Sequence, residues 1–390
     1  MASTYPRWPG DHEPGFVHEL NRRLAHEFEI HVVCPRAPGA AEFEVMDGVA
    51  VHRFCYAPKP IETLVQGGGI LSNLRQRPWK WVLVPSFFIG MMYQTFRCLR
   101  RIQPNCIHAH WIIPQGVALA VLGTLIKNVP PFLLTSHGSD LFCLRGKLFA
   151  MLKRWVLGKA ATTTVVSYPM VAEVIKFGGC PERISVIPMG VDFASRFSLT
   201  PLMLRVPGEI LFVGRLVESK GLKYLIEAMP IIRRQVQQVN LVVIGDGPEL
   251  QALRTLVASM GLNCVQFLGS LPQEKLPDFY RRASVFVAPF IGNEGLGLVT
   301  VEAIACACPV VVGDIPAMAD IFLDTELEMR AAPRNSSALA EKVVAVLLDC
   351  EAATQRILEI RKRLEVRLGW TRVTQLYAEK LRGLSSPSVI

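Results

Sequence analysis

Residues 285–305 read VFVAPFIGNEGLGLVTVEAIA, and this stretch decides the fold. An apolar run typical of a buried strand leads into a glycine-rich turn and then into a helix with few polar side chains. A strand that feeds a helix in this way is part of a βαβ unit, in which helices cover a parallel sheet. The two glutamates of the stretch, Glu294 and Glu302, lie one in the turn and one about a turn inside the helix.

The glutamate pair also points to a ligand. The first turn of a helix offers free backbone N–H groups and the positive end of the helix dipole, which attract a phosphate. Carboxylates on either side of that phosphate can accept hydrogen bonds from hydroxyl groups. A phosphate flanked by two polyhydroxylated groups describes a nucleotide sugar, so we expect this segment to bind one.

Short apolar strands alternate with amphipathic helices through both halves of the chain. The alternation predicts an α/β protein with two Rossmann-like domains, which suits a length of 390 residues and a hydrophobic content of 51%. The pattern places the domains over residues 1–195 and 206–368, with an irregular junction between them. It also predicts one long helix over Leu339–Val366 and a last helix within residues 369–390.

The start of the chain departs from this pattern. A doubly wound domain normally opens with a strand, yet Pro6 and the glycines and prolines that follow arrive almost at once. Either the first strand is missing, or residues 1–5 are its shortened remnant. An absent central strand would leave a hydrogen-bonding slot in the sheet.

Charge is distributed unevenly. The net charge is +9, and no acidic residue lies between Glu62 and Asp140. This basic region either favours an anionic partner, such as a phospholipid surface or a phosphate-bearing substrate, or is a diffuse charge that keeps the protein soluble.

Within the basic region, Trp81–Phe96 is almost wholly apolar and shorter than a typical membrane span. It is a helix packed on a sheet, an interfacial helix that touches a membrane, or a true membrane span. The scattered cysteines, with no C-x-x-C pair, and the lack of a secretory signal at the start predict a reduced, cytoplasmic protein. With an interfacial helix it would be peripheral on the inner face of the membrane.

Two more strand ends carry candidate residues, because ligands of open α/β sheets bind beyond the carboxyl ends of strands. His137 could donate to a phosphate or a sugar hydroxyl, or act in proton transfer, and a local hydrogen bond is its structural alternative. Arg215 and Lys220, beside Gly214 and Gly221, could bind a diphosphate as a fork and as a point charge.

Two further motifs, one near each of these strand ends, are interpreted as structural elements and not as ligand sites. Asp140 suits the N-cap position of a helix. Gly245–Pro248 lacks the G-x-G-x-x-G spacing of a dinucleotide loop, so it predicts a turn and a helix start.

Taken in order, these motifs resemble the large family of retaining glycosyltransferases with two facing Rossmann-like domains. This is the GT-B fold of group 4, also called glycosyl transferases group 1. The resemblance covers nearly the whole chain, through residues 108–116, 137–140, 187–192, 214–221, 245–248 and 294–302.

The resemblance implies a donor that is a nucleotide-diphospho-sugar, UDP- or GDP-linked, held mostly by the C-terminal domain. It implies retaining transfer to a glycan or lipid-linked acceptor in cell-surface polysaccharide synthesis, with the N-terminal domain on the acceptor side. No metal, other cofactor or nucleic acid is expected, because cations and a helix end neutralise the leaving diphosphate. The helix beyond Trp370 would cross back onto the N-terminal domain.

Roles for individual residues also follow from the resemblance. Arg215 and Lys220 would bind the diphosphate and stabilise the leaving group, Glu294 would contact the donor sugar and Glu302 the ribose, and His137 would lie near the sugar. The implied catalytic residues are His137, Glu294, Arg215 and Lys220. The implied donor-binding residues are Gly214, Arg215, Lys220, Glu294, Gly295, Leu296, Gly297, Leu298, Val299 and Glu302.

The chain departs from the family pattern at Asn105, which occupies a usual aspartate position, in the loop of residues 312–316, which lacks the common Gly-Gly pair, and at Ala307. Ala307 stands where the family usually has glycine, so an easy left-handed cap after the Glu302 helix is expected to be lost.

Two other functions stay open on the sequence. One is a non-catalytic or impaired paralogue that binds a nucleotide sugar, and the other is a nucleotide-sugar epimerase on the same fold.

Overall fold

A computed structural model describes residues 1–8, 11, 15–65, 69–200, 205–292 and 294–385. Residues 201–204 of the predicted junction therefore lie outside the described residues. The chain divides into two units: unit 1 holds Met1–Met189 and the chain from Val373 onward, and unit 2 holds Gly190–Arg372. Both units have parallel sheets with helices, and the predicted fold class is confirmed.

Unit 1 contains a three-stranded and a four-stranded sheet. Its strands are β1 (Ile30–Pro35), β2 (Phe43–Met46), β3 (Val49–Phe54), β4 (Ile107–His110), β5 (Phe132–Ser136), β6 (Thr162–Val165) and β7 (Ile184–Val186). Its helices are α1 (Phe16–Leu24), α2 (Ile70–Gln76), α3 (Leu83–Ile102), α4 (Val117–Leu125), α5 (Ser139–Phe142), α6 (Lys147–Lys159) and α7 (Pro169–Lys176). The strand orders are β1-β3-β2 and β4-β5-β6-β7, and only the β2–β3 pair is antiparallel.

Unit 2 contains one six-stranded parallel sheet. Its strands are β8 (Val206–Val213), β9 (Asn240–Ile244), β10 (Val265–Gly269), β11 (Ala283–Ala288), β12 (Val310–Gly313) and β13 (Arg330–Ala331). Its helices are α8 (Leu222–Gln235), α9 (Leu250–Ser259), α10 (Leu276–Arg282), α11 (Leu298–Ala305), α12 (Ser336–Leu348) and α13 (Cys350–Leu368). A last helix, α14 (Trp370–Ser385), begins in unit 2 and continues into unit 1. The strand order is β10-β9-β8-β11-β12-β13.

Residues 285–305 form the strand, turn and helix that their pattern predicts. All six residues of β11 are buried, as expected for a central strand covered on both faces. The helix predicted after the glycine-rich turn is α11. The single long helix predicted over Leu339–Val366 is wrong, because the chain leaves the helical conformation at Asp349 and continues as α13. The Asp349 carboxylate caps that second helix by accepting a hydrogen bond from the Ala352 N–H at 3.1 Å.

The first two residues join the two sheets of unit 1. The Ala2 N–H donates to the Val33 carbonyl of β1 at 3.1 Å, and the His110 N–H of β4 donates to the Met1 carbonyl at 3.0 Å. The Met1 ammonium donates to the His108 carbonyl at 2.6 Å. Burial lowers the pKa of this ammonium to about 6. Two residues thus bridge β1 and β4 where a central strand would pair with both.

A groove of about 270 Å³ continues beside this bridge, between β1, β4 and the helices α1 and α3. Its walls include the apolar side chains of Leu24, Ile30, Leu99, Ile102 and Ile107. The groove therefore lies between the edges of β1 and β4 that face each other beside Met1 and Ala2.

Extending the chain ahead of Met1 by about five apolar, β-branched residues is expected to raise the melting temperature. The added backbone can pair with the facing edges of β1 and β4, and its side chains can fill the groove. Thermal unfolding followed by circular dichroism measures the effect. A Gly-Ser extension of equal length is the control, since it moves the terminal charge out of its buried position without filling the groove. Equal melting temperatures for the two extended proteins would contradict strand pairing.

Candidate functional site

The strand order of unit 2 reverses between β8 and β11. From β8 the chain proceeds outward through β9, and from β11 it proceeds outward on the other side through β12. Such a reversal opens a crevice at the carboxyl ends of the two strands, which is where open α/β sheets bind ligands. Arg215 and Lys220 lie in the loop after β8, and Glu294 lies in the loop after β11. Three predicted site residues therefore border this crevice.

Lys220 and Glu294 form an ion pair across the two loops. The Lys220 Nζ atom lies 2.6 Å from the Glu294 Oε2 atom, and each side chain is 19% exposed. The same Nζ atom lies 4.8 Å from the centroid of the Phe290 ring. The sequence pointed to each residue separately but gave no sign of their contact. An anion that binds Lys220 must therefore compete with the carboxylate of Glu294.

The backbones of the two loops also touch. Gly221 adopts a φ of 70°, and a Cβ atom at this position would lie 1.9 Å from the Pro289 carbonyl oxygen. Beside it, the Ile291 N–H donates to the Ser219 carbonyl at 3.1 Å. Any side chain at position 221 would push the loops apart. The glycine thus sets the spacing that lets Lys220 reach Glu294.

Arg215 is exposed at the end of β8, and a neighbouring turn supports its backbone. The Leu216 N–H donates to the Asp246 carbonyl at 2.9 Å. A Cβ atom at Gly245 would lie 1.9 Å from the Gly214 carbonyl oxygen, so this close approach requires glycine. The turn predicted at Gly245–Pro248 is confirmed, and its glycines serve to support the loop that carries Arg215.

Glu302 lies inside α11 and is buried. Its Oε1 atom accepts from Gln273 Nε2 at 2.8 Å, and its Oε2 atom accepts from the Tyr280 hydroxyl at 3.0 Å. Burial raises the pKa of the Glu302 carboxyl to about 7, although both hydrogen bonds act to lower it. Glu302 therefore titrates near neutral pH.

Sequence reasoning missed the side chains that orient Glu302. Arg196 donates to the Gln273 Oε1 atom at 2.9 Å, so a chain of two hydrogen bonds runs from Arg196 through Gln273 to Glu302. Tyr280 is fully buried and gives its hydroxyl to the same carboxylate. These residues come from separate elements with no common spacing. The one available signal was a tyrosine in an apolar setting, whose hydroxyl needs a partner when buried.

Helix α11 begins directly after a glycine, and of its first backbone donors the Thr300 N–H donates to the Gly297 carbonyl at 2.9 Å. Gly297 precedes the helix at a φ of 75°, and no side chain among the described residues caps the first turn. Gly295, Leu296 and Gly297 are buried, and Leu298 and Val299 are half-buried. The predicted backbone-binding residues thus form one turn at the carboxyl end of β11.

The end of α11 corrects an expectation. Ala307 adopts a φ of 57°, so the left-handed cap is kept although the residue is not glycine. The Cys308 N–H donates to the Ala303 carbonyl and the Ala307 N–H to the Ile304 carbonyl, each at 2.9 Å. These two bonds form a Schellman motif. A non-glycine residue in this conformation costs about 1–2 kcal/mol.

Replacing Ala307 with glycine is expected to stabilise the protein by up to about 1 kcal/mol, because relief of backbone strain outweighs the added freedom of the unfolded chain. Chemical denaturation measures the free energy of unfolding. Ala305→Gly is the matched control, since it removes a buried methyl from the same helix at a helical φ. We expect this control to lose about 1 kcal/mol. Equal losses in both variants would show that the left-handed conformation carries no strain.

His137 belongs to unit 1 and directly follows β5. Its Nε2 atom lies 3.0 Å from the Nδ1 atom of His110, and its ring packs against Phe16 and Trp111. Burial lowers the pKa of His137 to about 3, so the imidazole is neutral at neutral pH. It can exchange hydrogen bonds with a hydroxyl but does not supply a positive charge.

Asp140 is not the predicted N-cap. It lies within α5, behind Gly138, which occupies the cap position. Its Oδ2 atom accepts from the Ile112 N–H at 2.7 Å, and its Oδ1 atom accepts from the Ser136 hydroxyl at 3.0 Å. Asp140 thus fixes the turn after β4 to the end of β5, the strand that carries His137. Across the described ranges, no group of three or more His, Cys, Asp or Glu side chains could hold a metal ion.

Family models match both units. The model described as Glycosyl transferases group 1 matches residues 207–363, and the model described as Glycosyltransferase Family 4 matches residues 16–195. The chain belongs to this family of glycosyltransferases with the GT-B fold and is a glycosyltransferase enzyme.

Individual relatives and structures extend along most of the chain. It is 29% identical to a glycogen synthase of Mycobacterium tuberculosis, over 95% of this chain and 92% of the relative. It is 28% identical to a GDP-mannose-dependent alpha-(1-6)-phosphatidylinositol monomannoside mannosyltransferase of the same species, over 74% of this chain and 79% of the relative. The crystal structure of Anabaena HepE in complex with UDP-glucose matches with a TM-score of 0.71 at 17% identity, over 98% of both chains. That last likeness shows the fold alone.

Proposed function

We propose that this glycosyltransferase acts with retention and moves a hexosyl group from a UDP- or GDP-linked sugar to a glycan or lipid-linked acceptor in cell-surface polysaccharide synthesis. The observation that carries the proposal is the ion pair between Lys220 and Glu294 at the strand reversal of unit 2. The relatives named as a GDP-mannose-dependent mannosyltransferase and a glycogen synthase, and the UDP-glucose complex of HepE, support the donor class.

In this proposal the bound donor breaks the ion pair and provides a new partner for each of its two side chains. The diphosphate takes the Lys220 ammonium, and Glu294 turns its carboxylate to hydroxyls of the donor sugar. Arg215 adds a forked cation, and the first N–H groups of α11 take further phosphate oxygens. These groups neutralise the charge that develops on the leaving diphosphate, so the proposal includes no bound metal or other cofactor.

Glu302 is suited to the ribose. Each of its carboxylate oxygens already accepts one hydrogen bond from the protein, from Gln273 or Tyr280, and keeps lone pairs for a ribose hydroxyl. The two protein donors hold the carboxylate in one orientation before the donor arrives, which lowers the entropic cost of binding.

Retention follows if the acceptor hydroxyl attacks from the side that the diphosphate leaves. The bond between the anomeric carbon and the phosphate oxygen breaks, the new glycosidic bond forms on the same face, and the leaving phosphate takes the hydroxyl proton. No protein nucleophile is needed for this step. His137 keeps a proposed role as a neutral hydrogen-bonding partner of a sugar hydroxyl, in line with its lowered pKa.

A screen of UDP- and GDP-sugars with glycan and lipid-linked acceptors, read by released nucleotide and by product, tests the proposal. With the donor that it identifies, Lys220→Ala and Glu294→Ala should each slow transfer about tenfold or more, equal to about 1.4 kcal/mol in the barrier. Binding of the nucleoside diphosphate without the sugar should separate the two variants. Lys220→Ala should weaken it, whereas Glu294→Ala should not, because losing the carboxylate frees Lys220.

Lys223→Ala is the matched control, since Lys223 forms a surface pair with Glu227 in α8 and should affect neither reading. Weaker diphosphate binding by Glu294→Ala would contradict the exchange of partners. An epimerised sugar formed from the donor alone would identify an epimerase. Donor binding without transfer to any acceptor would identify a binding paralogue.

Donor affinity should depend on pH through Glu302. Its carboxyl is mostly protonated below pH 7 in the free protein, and the ionised form is the better acceptor for ribose hydroxyls. Affinity is therefore expected to rise up to about tenfold from about pH 6 to about pH 8. Calorimetric titration with the intact nucleotide sugar measures it, because each of its phosphates carries one ester and one anhydride linkage and has no group that titrates in this range. Glu302→Gln should flatten the dependence, and an unchanged slope in that variant would assign it to another group.

A further inference from the structure

Helix α3 leaves a continuous apolar stripe exposed on unit 1. Val82, Ile89, Tyr93 and Phe96 are 78%, 63%, 61% and 36% exposed. Val82 is the N-cap residue of α3, and spacings of seven, four and three residues place the four side chains on one face of the helix. The turn before the helix adds two exposed tryptophans, Trp79 and Trp81. We call these six residues the α3 face.

Exposed arginines lie in the same segment of the chain as the α3 face. Arg75, Arg77, Arg97, Arg100 and Arg101 are exposed. None of these arginines forms an ion pair with any residue that the structure describes. No acidic residue lies between Glu62 and Asp140 in the sequence, so this segment of the chain carries only positive charge. The guanidinium groups of Arg97 and Arg100 lie 5.8 and 5.7 Å from the Tyr93 and Phe96 ring centroids.

The opposite side of α3 is fixed in the core. Leu83, Phe87 and Met91 are buried, and the Phe87 ring packs edge-on against Phe54 and Tyr56 at 5.1 and 5.2 Å. Within the described ranges, the stretch Pro78–Ile102 is one helical segment long and apolar enough to cross a membrane. Crossing would require these packed rings to leave the core. The helix can meet a bilayer from the side without any such loss.

We propose that the α3 face docks unit 1 on an anionic membrane surface. The apolar side chains and the two tryptophans enter the boundary between headgroups and acyl chains, and the arginines pair with lipid phosphates. Charge complementarity selects this partner, because an exposed apolar stripe accompanied by exposed arginines fits a negatively charged interface. The proposal does not depend on which donor unit 2 binds or on whether transfer occurs.

Co-sedimentation of the full chain with vesicles tests the proposal. The vesicles are phosphatidylcholine alone, or phosphatidylcholine with about a third of phosphatidylglycerol. We expect binding to the anionic vesicles, weak binding to the neutral ones, and release by about 0.5 M salt. Val82→Ser/Ile89→Ser and Arg100→Glu/Arg101→Glu should each weaken binding about tenfold or more.

Unit 2 offers matched controls for both variants. Leu348→Ser/Val366→Ser removes two similarly exposed apolar side chains, and Arg233→Glu/Arg234→Glu reverses two exposed arginines in the last turn of α8. Both should bind vesicles like the unaltered chain, and thermal unfolding checks that all four variants fold. Equal losses in control and α3 variants, equal binding to neutral vesicles, or no binding to any vesicle would overturn the proposal. Retention after both high-salt and alkaline washing would indicate a spanning helix instead and would also overturn it.

Discussion

The contact between the loop after β8 and the loop after β11 is the constraint on which the donor site depends. Two backbones meet where Gly221 faces the Pro289 carbonyl, at a distance that excludes a side chain. This approach brings Lys220 to Glu294 although 74 residues separate them in sequence. Because both side chains are largely withdrawn from water, each charge needs the other while no ligand is bound. A donor therefore replaces an existing interaction instead of binding to an unpaired charge.

Glu302 is a second buried acidic group whose charge needs partners. Its carboxyl is buried, and the hydrogen bonds from Gln273 and Tyr280, together with the charge of Arg196, offset part of the cost of its charge. With a pKa of about 7, the Glu302 carboxyl is present in both its protonated and its ionised form at neutral pH. Hydroxyl groups that donate to this carboxylate would favour its ionised form. Binding and deprotonation are therefore linked at this residue.

The sequence was informative wherever a local pattern determines the structure. The apolar run, the glycine turn and the following helix led directly to β11 and α11, since each is set by neighbours in the chain. It was less informative where partners lie far apart, as for Arg196 and Gln273 behind Glu302. The prediction of one long helix across Asp349 failed for another reason. The apolar periodicity continues across this position and conceals the capping aspartate. Ala307 shows the limit of residue preference, since the backbone bonds of the helix end impose a conformation that alanine disfavours.

Helix α3 is shaped by two environments at once. The rings that fill the core around Phe87 require an apolar face, and this requirement accounts for only one side of the helix. The other side, from Val82 to Phe96, gains nothing from the core, and exposing it to water is unfavourable. Scattered apolar residues on a surface need no explanation, but a continuous stripe does. The arginines that border it repel other copies of the same surface and attract an anionic one. Folding alone does not require arginines beside the exposed stripe. The composition of the stripe and its arginines therefore indicates contact with an anionic membrane surface.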